Sequence, residues 1–155
     1  MQNDRLTHID AQGEAAMVDV STKPACLREA IAEGMILMQA KTLEAIESNQ
    51  VAKGNVMATA RLAGIMAAKK TGELIPLCHP LPITHCEVAL EIPPSRDRVC
   101  IRASARILAS TGVEMEALTA VSVAALTLYD MCKALDKSMV VGEIRLVTKT
   151  KTAIA

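Results

Sequence analysis

Three groups of side chains in this 155-residue chain have the types and spacing to do chemistry. The first is Cys78-His79-Pro80-Leu81-Pro82-Ile83-Thr84-His85-Cys86, two thiols and two imidazoles in one short run. Thiolate and imidazole are the ligands zinc prefers. The spacing argues against one shared ion, because adjacent Cys-His pairs do not readily reach the same metal and neighbouring strand residues point to opposite faces. The expectation is no metal, with a Pro-stiffened loop that presents His79 for acid–base work while the cysteines pack. The second group is Asp130-Met131-Cys132-Lys133, where Asp130 and Lys133 share a helix face at i and i+3. As a surface ion pair it would contribute only about 0.2–0.5 kcal/mol. Tyr129, Met131, Cys132 and Leu135 surround it, so at least one charge is expected to be partly buried, where a neighbour can tune its proton affinity. The third is Lys53-Gly54-Asn55 with Arg61 beyond it, a cation at a helix N-terminus that could hold phosphate. Walker A spacing is absent, and a Lys in a polar turn is ordinarily just solvated. Glu114-Met115-Glu116 also fits a first helical turn, where acidic residues suit the dipole.

These groups need elements to hold them. Residues 83–92 (ITHCEVALEI) alternate, Pro93-Pro94-Ser95-Arg96-Asp97 turns the chain, and residues 98–108 (RVCIRASARIL) alternate again. That pattern reads as a hairpin of two half-buried strands. Thr111-Gly112-Val113-Glu114 reads as a capping box opening a helix to about residue 134. Val113, Ala117, Ala120, Val121, Ala124, Leu128 and Met131 give that helix one apolar face. Residues 140–148 read as a last strand, and Asn55 caps an Ala-rich helix to about residue 70. Residues 27–38 fit either a helix or a strand; the strand reading gives β-α-β-β-α-β, with helices on one face of an antiparallel sheet.

Composition narrows the classes. There are 17 basic and 17 acidic side chains, and 51% of residues are apolar. The balanced charge removes the basic footprint of a nucleic-acid binder. With no Trp, no Phe and only Tyr129, base-stacking platforms and aromatic cages are excluded. The nine Met residues are expected to fill core space in place of rings. Five Cys without a C-x-x-C pair suit reduced structural thiols. The start MQNDRLTHID has no apolar run, and the longest charge-free apolar stretch, residues 117–129, is too short for a bilayer span. The expectation is one soluble cytoplasmic domain over residues 1–155, not bound to membrane or nucleic acid, with loose ends at about 1–15 and 150–155.

Four strings carry a specific likeness: MVDV (17–20), KGNVMATARLAGI (53–65), LIPLCHPL (74–81) and TGVEMEALTAVSVAALTLYDMCKA (111–134). With them the chain resembles the cyclic pyranopterin monophosphate synthase family of molybdenum cofactor biosynthesis, from about Leu6 to about Lys149. The resemblance implies a ferredoxin-like α+β fold, which makes residues 27–38 a strand. It implies a homohexamer, a trimer of dimers with active sites at subunit contacts. The implied reaction is conversion of a 3′,8-cyclised 7,8-dihydro-GTP to cyclic pyranopterin monophosphate with loss of diphosphate.

Carried over residue by residue, the resemblance puts the acid–base aspartate on Asp130, catalytic lysines on Lys53 and Lys133, and the active-site histidine on His79. Substrate contacts fall on Leu77, Cys78, His79, Met115 and Glu116, with Glu114, Asp19 and Lys149 nearby. A neighbouring chain is expected to supply at least one of Lys53 and Lys133. No cofactor is implied, and Mg²⁺ accompanying the triphosphate is not assignable to a residue. Two departures stand out: Asn55 replaces the family's usual Asp, and the end of the chain lacks the Gly/Ser/Lys-rich tail of many members. The competing classes are a zinc-stabilised interaction module and a ferredoxin-like domain that binds nucleotide without turnover.

Overall fold

A computed structural model describes residues 13–154. The elements run β1 (Cys26–Leu37), α1 (Ala40–Glu47), α2 (Val56–Lys69), α3 (Thr71–Leu74), β2 (His85–Glu91), β3 (Arg98–Ala109), α4 (Glu114–Cys132) and β4 (Val140–Thr152). The four strands form one sheet in the order β2-β3-β1-β4, every neighbouring pair antiparallel. This is the expected ferredoxin-like order, with α1 and α3 added between β1 and β2.

Residues 27–38 resolve to strand because small side chains alternate with larger ones on a sheet face that a helix must approach. Ala30, Ala32 and Ile36 of β1 and Val99, Ile101, Ala103, Ala105 and Ile107 of β3 are buried under the helices. A Cβ on Gly34 would stand 2.8 Å from Cγ1 of Val121, so the missing side chain is what lets α4 lie this low. The other sheet face mixes apolar residues such as Leu27 and Leu108 with ion pairs: Arg106 donates to Glu29 at 2.8 Å, and Glu33 takes both Arg102 and Arg145.

Helix α4 lies across the sheet with α2 beside it. Its length and composition alone would pass for a membrane span, but Ala117, Ala120, Val121, Ala124 and Leu128 are buried in the chain's own core. The two helices meet backbone to backbone, since a Cβ on Gly64 of α2 would lie 2.8 Å from the carbonyl oxygen of Ala120. Alanine and glycine, more than methionine, replace the missing rings. Of the methionines among the described residues, only Met38, Met131 and Met139 are buried, whereas Met17, Met66 and Met115 are exposed. The expected methionine-filled core is therefore corrected: close-packed small residues leave little space for long ones.

Two boundaries also differ from expectation. Helix α4 starts at Glu114 with Val113 at its cap and no side-chain cap bond, so Thr111 closes no capping box. Strand β4 runs on through Thr152, into the segment expected to be loose, because Thr150, Lys151 and Thr152 pair with Glu29, Arg28 and Leu27. Most of the N-terminal segment expected to be loose, about 1–15, lies outside the described residues.

Candidate active site

The candidate residues gather at the two ends of α4. At its C-terminal end stands an ion triad. Lys53 Nζ donates to Asp130 Oδ2 at 2.7 Å and to the Asp130 backbone oxygen at 2.9 Å. Lys133 Nζ lies 2.7 Å from Asp130 Oδ1, so each carboxylate oxygen holds one ammonium. Lys133 is the C-cap residue of α4, next to the helix's unpaired carbonyls and the dipole end that favours cations. Lys53 is delivered by the turn before α2. Gly54 takes a φ of +100°, a left-handed conformation that glycine adopts freely, and donates from its N to Val51 O at 3.0 Å. Asn55 then caps α2, accepting from Ala58 N at 2.9 Å, as its type predicts.

The triad is open to solvent, with about half of each side chain exposed: 48% for Lys53 and 56% for Asp130 and Lys133. The expected partial burial is not found, because this end of the helix emerges from the core and Met131 and Cys132 turn inward instead. The hydrogen bonds from Lys133 and Lys53 hold the Asp130 carboxyl at about 2, fully ionised at neutral pH. Both lysines come from the same chain as Asp130, which corrects the expectation that a neighbour supplies one of them. The α2–α4 contact through Gly64 accounts for it by bringing the start of α2 beside the end of α4.

At the N-terminal end of α4 lies a cavity of about 380 Å³. His79, Cys78, Leu77, Glu114, Met115 and Glu116 are in its wall, so six of the expected residues meet here. The Pro-rich loop carrying His79 is held by α3, where Gly72 allows close approach; a Cβ there would lie 2.9 Å from Cα of Pro80. His79 Nε2 makes a 2.8 Å hydrogen bond to the backbone oxygen of Val18. Glu116 is 3% exposed, and burial, reinforced by the nearby Glu114 charge, raises its carboxyl above the ordinary glutamate value. Burial also works against the charge of Glu114, but its own backbone N–H and Lys149, 3.0 Å away, prevail and hold it ionised. Lys149 thus joins this end from β4. Burial and the Glu116 charge push the Cys78 thiol up, so it stays protonated.

Asp19 lies beside the cavity without aiming its carboxylate into it. Its Oδ1 instead accepts from the N and Oγ of Ser21, at 2.9 and 2.6 Å. Sequence reasoning missed the backbone of Val18 and the walls made by Val20, Lys23, Thr111 and Gly112. The MVDV string was the available signal, but it does not reveal that a backbone carbonyl meets His79. Among the described residues, no three His, Cys, Asp or Glu side chains converge as metal ligands. A second depression of about 380 Å³ lies across the sheet among Glu33, Arg98, Arg102 and Arg145. Its charges are already engaged, Glu33 with Arg102 and Arg145 and Arg98 with Asp97.

Asp130 lies fourteen residues beyond Glu116 on one helix, about 21 Å at ~1.5 Å per residue. A single chain therefore holds the candidate residues in two separate groups.

Comparison with known proteins agrees with this assembly of motifs. The family model described as the MoaC family matches residues 17–152. A cyclic pyranopterin monophosphate synthase from Heliobacterium modesticaldum is 56% identical over 147 residues, covering 95% of this chain and 92% of that protein. The likeness takes in both ends of α4 and the segment whose Val18 carbonyl meets His79, and the chain belongs to the MoaC family.

Proposed function

We propose that this chain converts (8S)-3′,8-cyclo-7,8-dihydroguanosine 5′-triphosphate to cyclic pyranopterin monophosphate, releasing diphosphate, in molybdenum cofactor biosynthesis. The observation that carries the site assignment is the Lys53–Asp130–Lys133 triad. Exposed ion pairs contribute little to stability, so three charges gathered on one solvent-facing patch at the family's motif positions are better explained by chemistry than by folding.

Opening and rearranging a purine-derived ring needs a proton acceptor and a donor at the same atoms. Asp130, ionised and flanked by cations, serves as acceptor and as the anchor that orients both lysines. Lys133, kept protonated by its pairing with Asp130, is the proton source beside it. Lys53 spends two of its three N–H groups on Asp130 and keeps one for an incoming oxygen. Two ammoniums against one carboxylate leave a surplus positive charge, which favours a triphosphate and stabilises negative charge on departing diphosphate. At the other end, His79 orients or relays a proton, and Leu77, Cys78, Met115 and Glu116 bound the ring system, with Glu114 and Lys149 closing the rim.

The two groups stand about 21 Å apart along α4 at ~1.5 Å per residue, too far for one chain to close both around the reacting ring. One working site therefore takes the triad from one chain and the His79 cavity from another, within a hexamer built as a trimer of dimers. Incubation with the cyclised nucleotide tests the reaction: diphosphate and a cyclic phosphate product are expected in equal amounts. Tight binding without either product would replace this reading with a nucleotide-binding regulatory domain.

A further inference from the structure

The contact between His79 and the segment before β1 defines more than packing. Nε2 of His79 lies 2.8 Å from Val18 O. A peptide carbonyl only accepts, so Nε2 carries the proton in this bond. In a neutral imidazole the other nitrogen, Nδ1, is then bare and keeps its lone pair. Nδ1 has no hydrogen-bond partner among the described residues.

The carbonyl is held in place by its own segment. Asp19 Oδ1 accepts from Ser21 N and Oγ, closing an Asx-type turn immediately after Val18. Lys23 N donates to Val20 O at 3.0 Å, and Ser110 Oγ donates to Lys23 O at 2.8 Å, which ties the segment to the chain between β3 and α4. Two other groups in the same cavity are occupied or protonated. The Cys78 thiol is pushed up by burial, and the Glu114 carboxylate is engaged by Lys149.

We infer that residues 17–23 are a positioning element, in which Val18 O holds His79 as the Nε2–H tautomer and so makes Nδ1 the nitrogen that accepts a proton from the substrate. The inference rests on the proposed reaction and deepens the role of His79. It gives Asp19 a positioning role, acting through the turn and the carbonyl rather than on the substrate.

The test uses full-length protein labelled with ¹⁵N in its histidines. The chain has three, and His79→Gln assigns the signals of His79. At about pH 8.5, where an ordinary imidazole is neutral, the ring is expected to show a protonated Nε2 and a bare Nδ1. Asp19→Ala, which opens the turn, is expected to average the two nitrogens and lower kcat about tenfold, with KM changed less than twofold. Asp19→Asn still accepts from Ser21 and should restore the Nε2–H signature. A protonated Nδ1 in the unaltered chain overturns the inference. So does an unchanged tautomer and kcat in Asp19→Ala, or an Asn variant that behaves like Ala. These readings are separable from the reaction itself, because the tautomer is measured without substrate, whereas failure to release diphosphate would sink the proposed function alone.

Discussion

The two ends of α4 solve opposite electrostatic problems with the same helix. At the C-terminal end three charges stand in water and fix one another's protonation, with Asp130 held at about 2 by two ammoniums. At the N-terminal end a cavity raises the Glu116 carboxyl, keeps the Cys78 thiol protonated and ties a histidine to a carbonyl. At rest one end holds an ionised carboxylate between two ammoniums, while the other raises the proton affinity of Glu116 and Cys78 by burial. The difference shows where sensitivity to pH and to substitution should lie.

The largest expected effect is at the charged end. Asp130→Asn or Lys133→Ala should lower kcat by about 10²–10⁴-fold, the range for loss of a positioned proton-transfer group. The thermal midpoint should barely move, because the pairs are exposed. A large fall in stability with turnover intact would make the triad a structural device.

Mixing inactive variants tests the division of labour between chains. Asp130→Asn and His79→Ala protein, dissociated and reassembled together, should regain about a quarter of the sites by random pairing across an isologous contact. Lys53→Ala with Lys133→Ala should regain none, because both lysines stand on the same carboxylate. Recovery in the second mixture would break the assignment of the triad to one chain.

Gly64→Ala probes what joins the two ends. Its methyl group would meet the Ala120 carbonyl oxygen, forcing α2 from α4. A loss of about 1–3 kcal/mol in urea unfolding is expected, together with reduced activity as Lys53 moves off Asp130.

The smallest effect separates the ends by pH. Asp130 remains ionised throughout the range above about pH 4, so it supplies no acid limb there. Glu116, raised by burial, titrates above the ordinary glutamate value, and Glu116→Gln should shift or remove that limb of the kcat profile. Stability responds at another carboxylate, the 1%-exposed Asp136 between α4 and β4. Burial works against its charge, but bonds from Gln39 N, Ser138 and Thr42 prevail and lower its carboxyl below the ordinary value. Its contribution is therefore complete above about pH 4, near the unfolded value, and is lost as pH falls through the lower folded value. In Asp136→Asn this acid loss of stability should diminish.

Alternation and local chemistry made much of this molecule legible before any coordinates. The β2–β3 hairpin, the Asn55 cap and the buried face of α4 follow from period, turn residues and side-chain type, because neighbours along the chain decide them. The i,i+3 spacing likewise committed Asp130 and Lys133 to a shared face. Other features needed contacts between distant segments. Residues 27–38 became strand only when β3 and β4 paired on both sides, and Ala packing displaced methionine only when α4 settled over Gly34. Lys53 met Asp130, 77 positions away, through the α2–α4 approach, and Val18 met His79 across 61 positions. Residue types could nominate Lys53 and His79 for chemistry. Which oxygen each would face was decided by tertiary packing, since a hydrogen bond depends on distance and direction that the order of residues does not encode.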